Sequence, residues 1–459
     1  MRKVVVIGGS AAGMMAAISA AVYDSNADVT VVSRDLTAYR RPGIPALVAG
    51  YISDPAGAGV FAGETLGQYK IRLICPAEVT NINVKTKTVS VQGEGKIQEL
   101  GFDSAVIATG GYPIIPKIPG SEKKGVYTFT TFEGAQEIVE ATREAETAVV
   151  VGAGFVALEI AESLMHKGLD VYFNVRSRIL RKIVEPDVSE FLSRRFDKSG
   201  LKMLIGEAIS EVGGAGSVEY VVHKSKKIST KVVIMGTGVK PSVSLAEKCG
   251  IALGSSGAIK VDNRMQTSVA DIYAAGDCAE SPDLGTGRFV YSPVGSIGAM
   301  AGRIAGANAA GGNEESKGFL RAQTDEILGM QIFSIGHSTT TAKEVNLAVT
   351  VRDLRAPVSG QDDRGAGSFE TGKLLTDIDN RIVGAQLVSV YHGSQYAWQL
   401  YQAVLRGKDR EKFLKEFNSP RRKFTETMLA TAGSTISVEN VGDDNALRWQ
   451  NKLCQKQEQ

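Results

Sequence analysis

Two glycine-bearing turns, each set between an apolar strand and an apolar helix, constrain this chain more than any other feature. The first lies in KVVVIGGSAAGMMAAISA, residues 3 to 20, where a β-branched run gives way to small residues and then to Met, Ala and Ile at helical spacing. Gly8 allows the tight turn and Gly13 allows close helix packing, while the backbone N–H groups of Ser10, Ala11 and Ala12 face a pyrophosphate. Ser10 stands where the middle glycine is usual. The pattern recurs in AVVVGAGFVALEIAESLMHKG, with Gly152, Gly154 and Ala157 in the corresponding places and Phe155 and Val156 opening the second helix. One such turn is a weak signal. Two in one chain imply two Rossmann-like dinucleotide-binding domains, with a flavin and a nicotinamide held face to face for hydride transfer.

Composition narrows the alternatives. The chain has 459 residues, 43% of them hydrophobic, which suffices for about three domains. Its 52 Lys and Arg nearly balance 50 Asp and Glu, so no polybasic surface points to nucleic acid or membrane. The 51 glycines cluster in short runs after apolar strands, where they let backbone approach a ligand. Cys75, Cys249, Cys278 and Cys454 lie far apart with no CxxC, which supports neither a zinc site nor a disulfide framework. No metal site is expected. MRKVVVIGGS has too short an apolar run for a signal peptide, and no run reaches transmembrane length, so a soluble, cytoplasmic protein is expected.

Two further stretches are more specific. FDSAVIATGGYP places Ala108, Thr109 and Gly110 at a strand end, and TSVADIYAAGDCAE ends another strand on Gly276 and Asp277. With these motifs the chain resembles the FAD-dependent pyridine nucleotide-disulfide oxidoreductases. FSIGHSTTTAKE and IVGAQLVS are similar to the NADH oxidase and coenzyme A disulfide reductase branch. The resemblance implies that Asp277 meets the ribityl chain of FAD, and that Ser33, Arg34, Val79, Pro293 and Val294 line the same cofactor. It places Gly236, Thr237, Gly238 and Glu159 beside the nicotinamide nucleotide. The implied fold is α/β: an FAD-binding domain in two segments, 1–118 and 243–318, an NAD(P)H-binding domain at 119–242, and a C-terminal α+β dimerisation domain at 319–459. A homodimer follows from that last domain.

The chain also departs from the family. In that branch a single cysteine precedes Gly, a hydrophobe and Pro; here Arg41-Pro42-Gly43-Ile44-Pro45 keeps the frame with Pro42 in the cysteine position. Proline cannot form a mixed disulfide or a thiolate pair with a flavin. Tyr39-Arg40-Arg41-Pro42 is also similar to the Tyr-x-Arg-Pro pattern of ferredoxin and rubredoxin reductases, which work without that cysteine. EFNSPRRKF offers Phe417 where the family has a tyrosine, no His-Pro-Thr stretch appears, and His337 and His392 are expected in surface or interface packing. Cys278 is expected as a small packed residue. After the second nucleotide turn the acid that would bind the NADH ribose is replaced by Val175, followed by Arg176 and Arg178, a pattern suited to the 2′-phosphate of NADPH. Ser33 likewise replaces the acid expected at the FAD ribose, with Asp35 nearby.

These features imply an FAD-dependent NAD(P)H oxidoreductase that uses NADPH or NADH. Glu159, Arg41 and Pro42 would lie at the reacting centre, and electrons would pass directly to oxygen, a quinone or a protein carrier. One alternative is a coenzyme A disulfide, sulfur or polysulfide reductase with a displaced cysteine. Another is an electron-transfer subunit or redox-sensing module acting through a partner, for which the basic SPRRK run would be a docking surface.

Overall fold

The computed structural model describes residues 1–35, 43–53, 63–355, 369–390 and 393–417. Arg41, Pro42, His392, Cys454 and the SPRRK run lie outside the described residues.

Each glycine turn ends the central strand of a parallel five-stranded sheet. In the first sheet the spatial order is Ile272–Ala274, Ser104–Ile107, Lys3–Ile7, Asp28–Val32 and Arg72–Ile74. Val4, Val5 and Val6 are buried on both faces, which is why this strand reads as a continuous β-branched run and not as an alternation. Each such side chain contributes roughly 1.5–3 kcal/mol by leaving water. The second sheet repeats the plan with Lys202–Ile205, Asp170–Val175, Thr147–Gly152, Val232–Gly236 and Val126–Tyr127. In both, strand order reverses beside the glycine-turn strand, and an open α/β sheet leaves its ligand crevice at that point.

Two short crossover strands, Gly111–Pro113 and Val239–Pro241, pair antiparallel and join the sheets. Thr109 Oγ1 donates to the Ser242 carbonyl at 2.8 Å, and Thr237 Oγ1 donates to the Ile114 carbonyl at 2.5 Å. The two threonines occupy equivalent places after the two sheets, so the joint has approximate twofold symmetry.

The third sheet is antiparallel, ordered Ala322–Ile327, Met330–Gly336, Ile382–Ser389, Thr371–Thr376 and Thr350–Asp353. The Gly393–Leu405 and Arg410–Phe417 helices cover it. Phe417 is buried there against Tyr396 and Phe413.

Candidate active site

The first crevice is built from bare backbone. Gly8 has φ +120°, and a Cβ there would stand 2.1 Å from the Ala108 carbonyl oxygen. A Cβ on Gly13 would stand 1.9 Å from the Gly8 carbonyl oxygen. Ser10 is the N-cap of the Ala11–Tyr23 helix in extended conformation, and its side chain makes no capping bond, which leaves the first-turn N–H groups for a ligand. Gly276, at φ +82°, has room for no Cβ because Ala12 Cβ would lie 2.7 Å away. Ser10, Ala11, Ala12, Thr109, Gly110, Gly276 and Asp277 are all half-buried and follow the ends of three adjacent strands of the first sheet. A cradle of this kind fits the pyrophosphate and ribityl portions of FAD.

Other residues expected at this cofactor are placed as follows. Ser33 is buried at the end of Asp28–Val32, with its N–H bonded to the Ile74 carbonyl and its own carbonyl accepting from Ala77. Arg34 is exposed, and Val79 is packed in the first core. Pro293 is exposed, and Val294 is the N-cap of the Gly295–Ala309 helix. That helix crosses the first one through Gly302 and Gly306, where a Cβ would meet the Ala12 and Ala16 carbonyl oxygens at 2.1 and 2.0 Å.

The second crevice has a different lining. Gly154 is the N-cap of the Phe155–His166 helix, and a Cβ there would meet nothing within 4 Å. Phe155 is buried and Val156 is exposed. Val175 is buried at its strand end, while Arg176 and Ser177 are exposed. Arg178 is occupied: its guanidinium donates to the Val184 carbonyl at 2.7 Å and the Arg181 carbonyl at 2.9 Å, and burial lowers its pKa. Of the two arginines expected at a 2′-phosphate, Arg176 is the one that faces outward. Lys182 pairs with Glu344 at 2.6 Å.

A group of carboxyls lies where the Phe155–His166 helix meets the Ala322–Ile327 strand. Glu159 sits on the second turn of that helix, which packs against the strand carrying Asp325. Burial, the neighbouring Asp325 carboxyl and the charge of Glu162 push Glu159 up to about 9. Glu162 accepts from the Leu328 N–H at 2.9 Å and is pushed up to about 7, chiefly by burial. Sequence reading identified Glu159 but missed Glu162 and Asp325. Glu162 is three residues beyond Glu159 on the same helix, a spacing that brings both to one face; Asp325 had no local signal.

His337 is not a surface residue. It is buried with Nε2 3.3 Å from Asp283 Oδ1. Burial alone would raise the Asp283 carboxyl, but bonds from His337 and Thr286 hold it below its ordinary value. Cys278 is wholly buried, with Sγ 3.4 Å from the Ile107 and Ala275 carbonyls, and burial raises its thiol pKa. Cys75 and Cys249 are half-buried, and burial raises Cys75 as well.

Two strand-turn-helix crevices joined by a symmetrical crossover define a class of flavoprotein that binds two dinucleotides in one chain. The chain belongs to the pyridine nucleotide-disulphide oxidoreductase family, whose model matches residues 2–292. It is therefore an FAD-dependent NAD(P)H oxidoreductase. Among its relatives, an NADH oxidase of Methanocaldococcus jannaschii is 29% identical, over 84% of this chain and 87% of that one. An NAD(P)H coenzyme A polysulfide/persulfide reductase of Pyrococcus horikoshii is 31% identical over the same shares. Among solved structures, an NAD-dependent persulfide reductase from A. fulgidus superposes with a TM-score of 0.84 at 30% identity, covering 89% of this chain and 78% of that one. An engineered water-forming NADPH oxidase bound to NADPH superposes with a TM-score of 0.81 at 25% identity, covering 89% and 92%. Among the described residues no helix is long and apolar enough to cross a membrane.

Proposed function

We propose that this enzyme takes hydride from NADPH in preference to NADH and delivers electrons to its acceptor without a redox thiol. FAD supplies the hydride-accepting and electron-passing chemistry when bound. The chain supplies two backbone cradles for the dinucleotides, Asp277 for the ribityl chain, and Arg176 for a 2′-phosphate. In the domain organisation we propose, residues 1–118 and 243–318 hold FAD, 119–242 hold the nicotinamide nucleotide, and 319–459 form the surface of a homodimer.

The observation that carries the nucleotide preference is a spacing. The engineered NADPH oxidase bears five substitutions: glycine to alanine, aspartate to alanine, alanine to arginine, methionine to serine, and proline to arginine. At the same relative intervals this chain has Ala157, Val175, Arg176, Ser177 and Lys182. The carboxylate that would repel a 2′-phosphate is absent, and an exposed guanidinium stands next to the place it would occupy.

The direct route to the acceptor rests on Pro42 and on the burial of Cys278. Oxygen, another small molecule or a protein carrier would each be chemically competent. A second reading, reduction of a persulfide or polysulfide through Cys75, Cys249 or Cys454, is favoured by the names of the relatives from Pyrococcus and A. fulgidus. Serine replacement of all four cysteines separates the two. The direct reading expects NADPH oxidation with oxygen or a quinone to continue at a comparable rate; the thiol reading expects turnover to stop.

A further inference from the structure

Hydroxyls of the FSIGHSTTT segment, on the third sheet and the Thr339–Glu344 helix, reach across to the nicotinamide-binding unit. Ser334 Oγ donates to the Ile183 carbonyl at 2.7 Å, Ser338 Oγ to Lys182 at 2.9 Å, and Thr340 Oγ1 to Arg181 at 3.0 Å. These are consecutive carbonyls of the loop between the Asp170–Val175 strand and the Pro186–Lys198 helix. The loop closes the rest on its own unit: Ser189 Oγ donates to the Ile179 carbonyl, the Ile183 and Val184 N–H groups to Leu180, and Arg178 to Val184. Every carbonyl from Ile179 to Val184 therefore has a donor, and the Arg181, Lys182 and Ile183 carbonyls have theirs outside the unit. Glu185 completes the junction. It is buried, its carboxyl accepts from the Thr339 N–H at 2.8 Å and Thr339 Oγ1 at 2.7 Å, and its own N–H donates to Gln386 Oε1 at 2.7 Å.

Beside these bonds, Ile327, Ile332 and Val388 of the third sheet share one core with Ile179, Leu180 and Val184. Apolar burial is non-directional, so it holds the two faces together without choosing their register; the directed bonds choose it. The covalent link between the dinucleotide-binding units is slight. The chain passes from one to the other and back through Gly111–Pro113 and Val239–Pro241, a two-stranded ribbon. Such a ribbon is marginal on its own and leaves rotation of the unit to other contacts. One of these is the bond from Ser163 Oγ to the Pro45 carbonyl at 3.0 Å, which ties the unit to the Ile44–Ala49 helix.

We propose that Ser334, Ser338, Thr339 and Thr340 are positioning residues, which latch the nicotinamide-binding unit to the C-terminal sheet and so fix the distance over which hydride passes. The inference goes beyond the nucleotide preference and rests on the domain organisation proposed above, in which different units hold the two cofactors. Hydride transfer carries two electrons and a proton from NAD(P)H to FAD, leaving NAD(P)⁺ and reduced flavin. It requires reacting atoms about 3–3.5 Å apart, and a misplacement of about 1 Å costs about a hundredfold. Neither backbone cradle determines the angle between the units. The latch does, through bonds made far from either glycine turn in sequence.

The test uses the full chain with FAD bound. Ser334→Ala/Thr340→Val removes two of the outside donors and spares Ser338, which caps the Thr339–Glu344 helix. Amide hydrogen exchange at residues 181–185 is expected to quicken about tenfold. In anaerobic stopped flow at saturating nucleotide, flavin reduction slows about tenfold with NADPH and NADH alike, while NADP⁺ affinity by calorimetry stays within about twofold. Thr340→Ser in place of Thr340→Val recovers part of the rate, and Thr340→Val alone, at a half-buried position, is the milder variant should the pair fail to fold. A loss of NADP⁺ affinity that matches the loss of rate, a slowing confined to NADPH, or an unchanged rate with faster exchange overturns the proposal, and so does unchanged exchange. Slower exchange at residues 154–159 when NADP⁺ binds the wild type checks the domain organisation separately. If that protection is missing while the other results hold, the latch stands and the domain organisation fails.

Discussion

The two dinucleotide-binding units follow one plan but fill the joint between strand end and helix from opposite sides. In the first, the helix carries Gly13 and the neighbouring strand end carries Ala108; a Cβ on Gly13 would lie 3.4 Å from the Ala108 methyl. In the second, the helix carries Ala157 and the strand end carries Gly236, where a Cβ would lie 2.8 Å from the Ala157 methyl. Each joint holds one methyl group. The last position of the glycine turn faces a residue far along the chain in both units, but what excludes a second methyl differs: the Gly8 carbonyl oxygen in the first and the Ala157 methyl in the second. The units also differ in their covers. Glycines bring the Gly295–Ala309 helix against the first helix, whereas the second is held by Pro45, Leu328 and acids.

The sharpest break of this comparison is Gly13→Ala. Its methyl would land 1.9 Å from the Gly8 carbonyl oxygen, so we expect a loss of more than about 3 kcal/mol and of bound FAD. Adding Ala108→Gly should not rescue it, because the obstacle is backbone; flavin absorbance and a denaturation midpoint report both. Gly236→Ala should cost about 1–3 kcal/mol, and here the second change, Ala157→Gly, should recover most of it. A double-mutant cycle with coupling near zero would sink the single-methyl account.

Arg176→Ala comes next. NADPH affinity should fall by about tenfold to a hundredfold with NADH little affected, measured as the ratio of kcat/KM values. Arg178→Ala should instead lower stability and spare the ratio, since its guanidinium serves the Arg181 and Val184 carbonyls. Smallest is the crossover: Thr109→Val and Thr237→Val should each cost about 1 kcal/mol in urea denaturation, with closely matching values.

Features set by short contiguous patterns were legible in the sequence. The buried strands read as β-branched runs, both helix starts followed their glycines, and the doubly wound α/β class followed from repetition of the unit. The packed role of Cys278 was likewise expected, although it directly follows Asp277. Features made by distant partners were not. Nothing near His337 announces Asp283, so its burial in a pair was missed. Arg178 reads as a phosphate ligand by spacing, yet the loop it sits in folds back and occupies its donors. The approach of the Phe155–His166 helix to the Ala322–Ile327 strand, which brings Asp325 near Glu159, is encoded by no periodicity within either element.

The most direct measurement is an anaerobic titration of the FAD-loaded enzyme with NADPH, followed across the visible spectrum. The account predicts that about one equivalent bleaches the flavin, with NADH much less effective and no long-wavelength thiolate-to-flavin band. Consumption of about two equivalents with such a band would contradict it and place a working thiol beside the flavin.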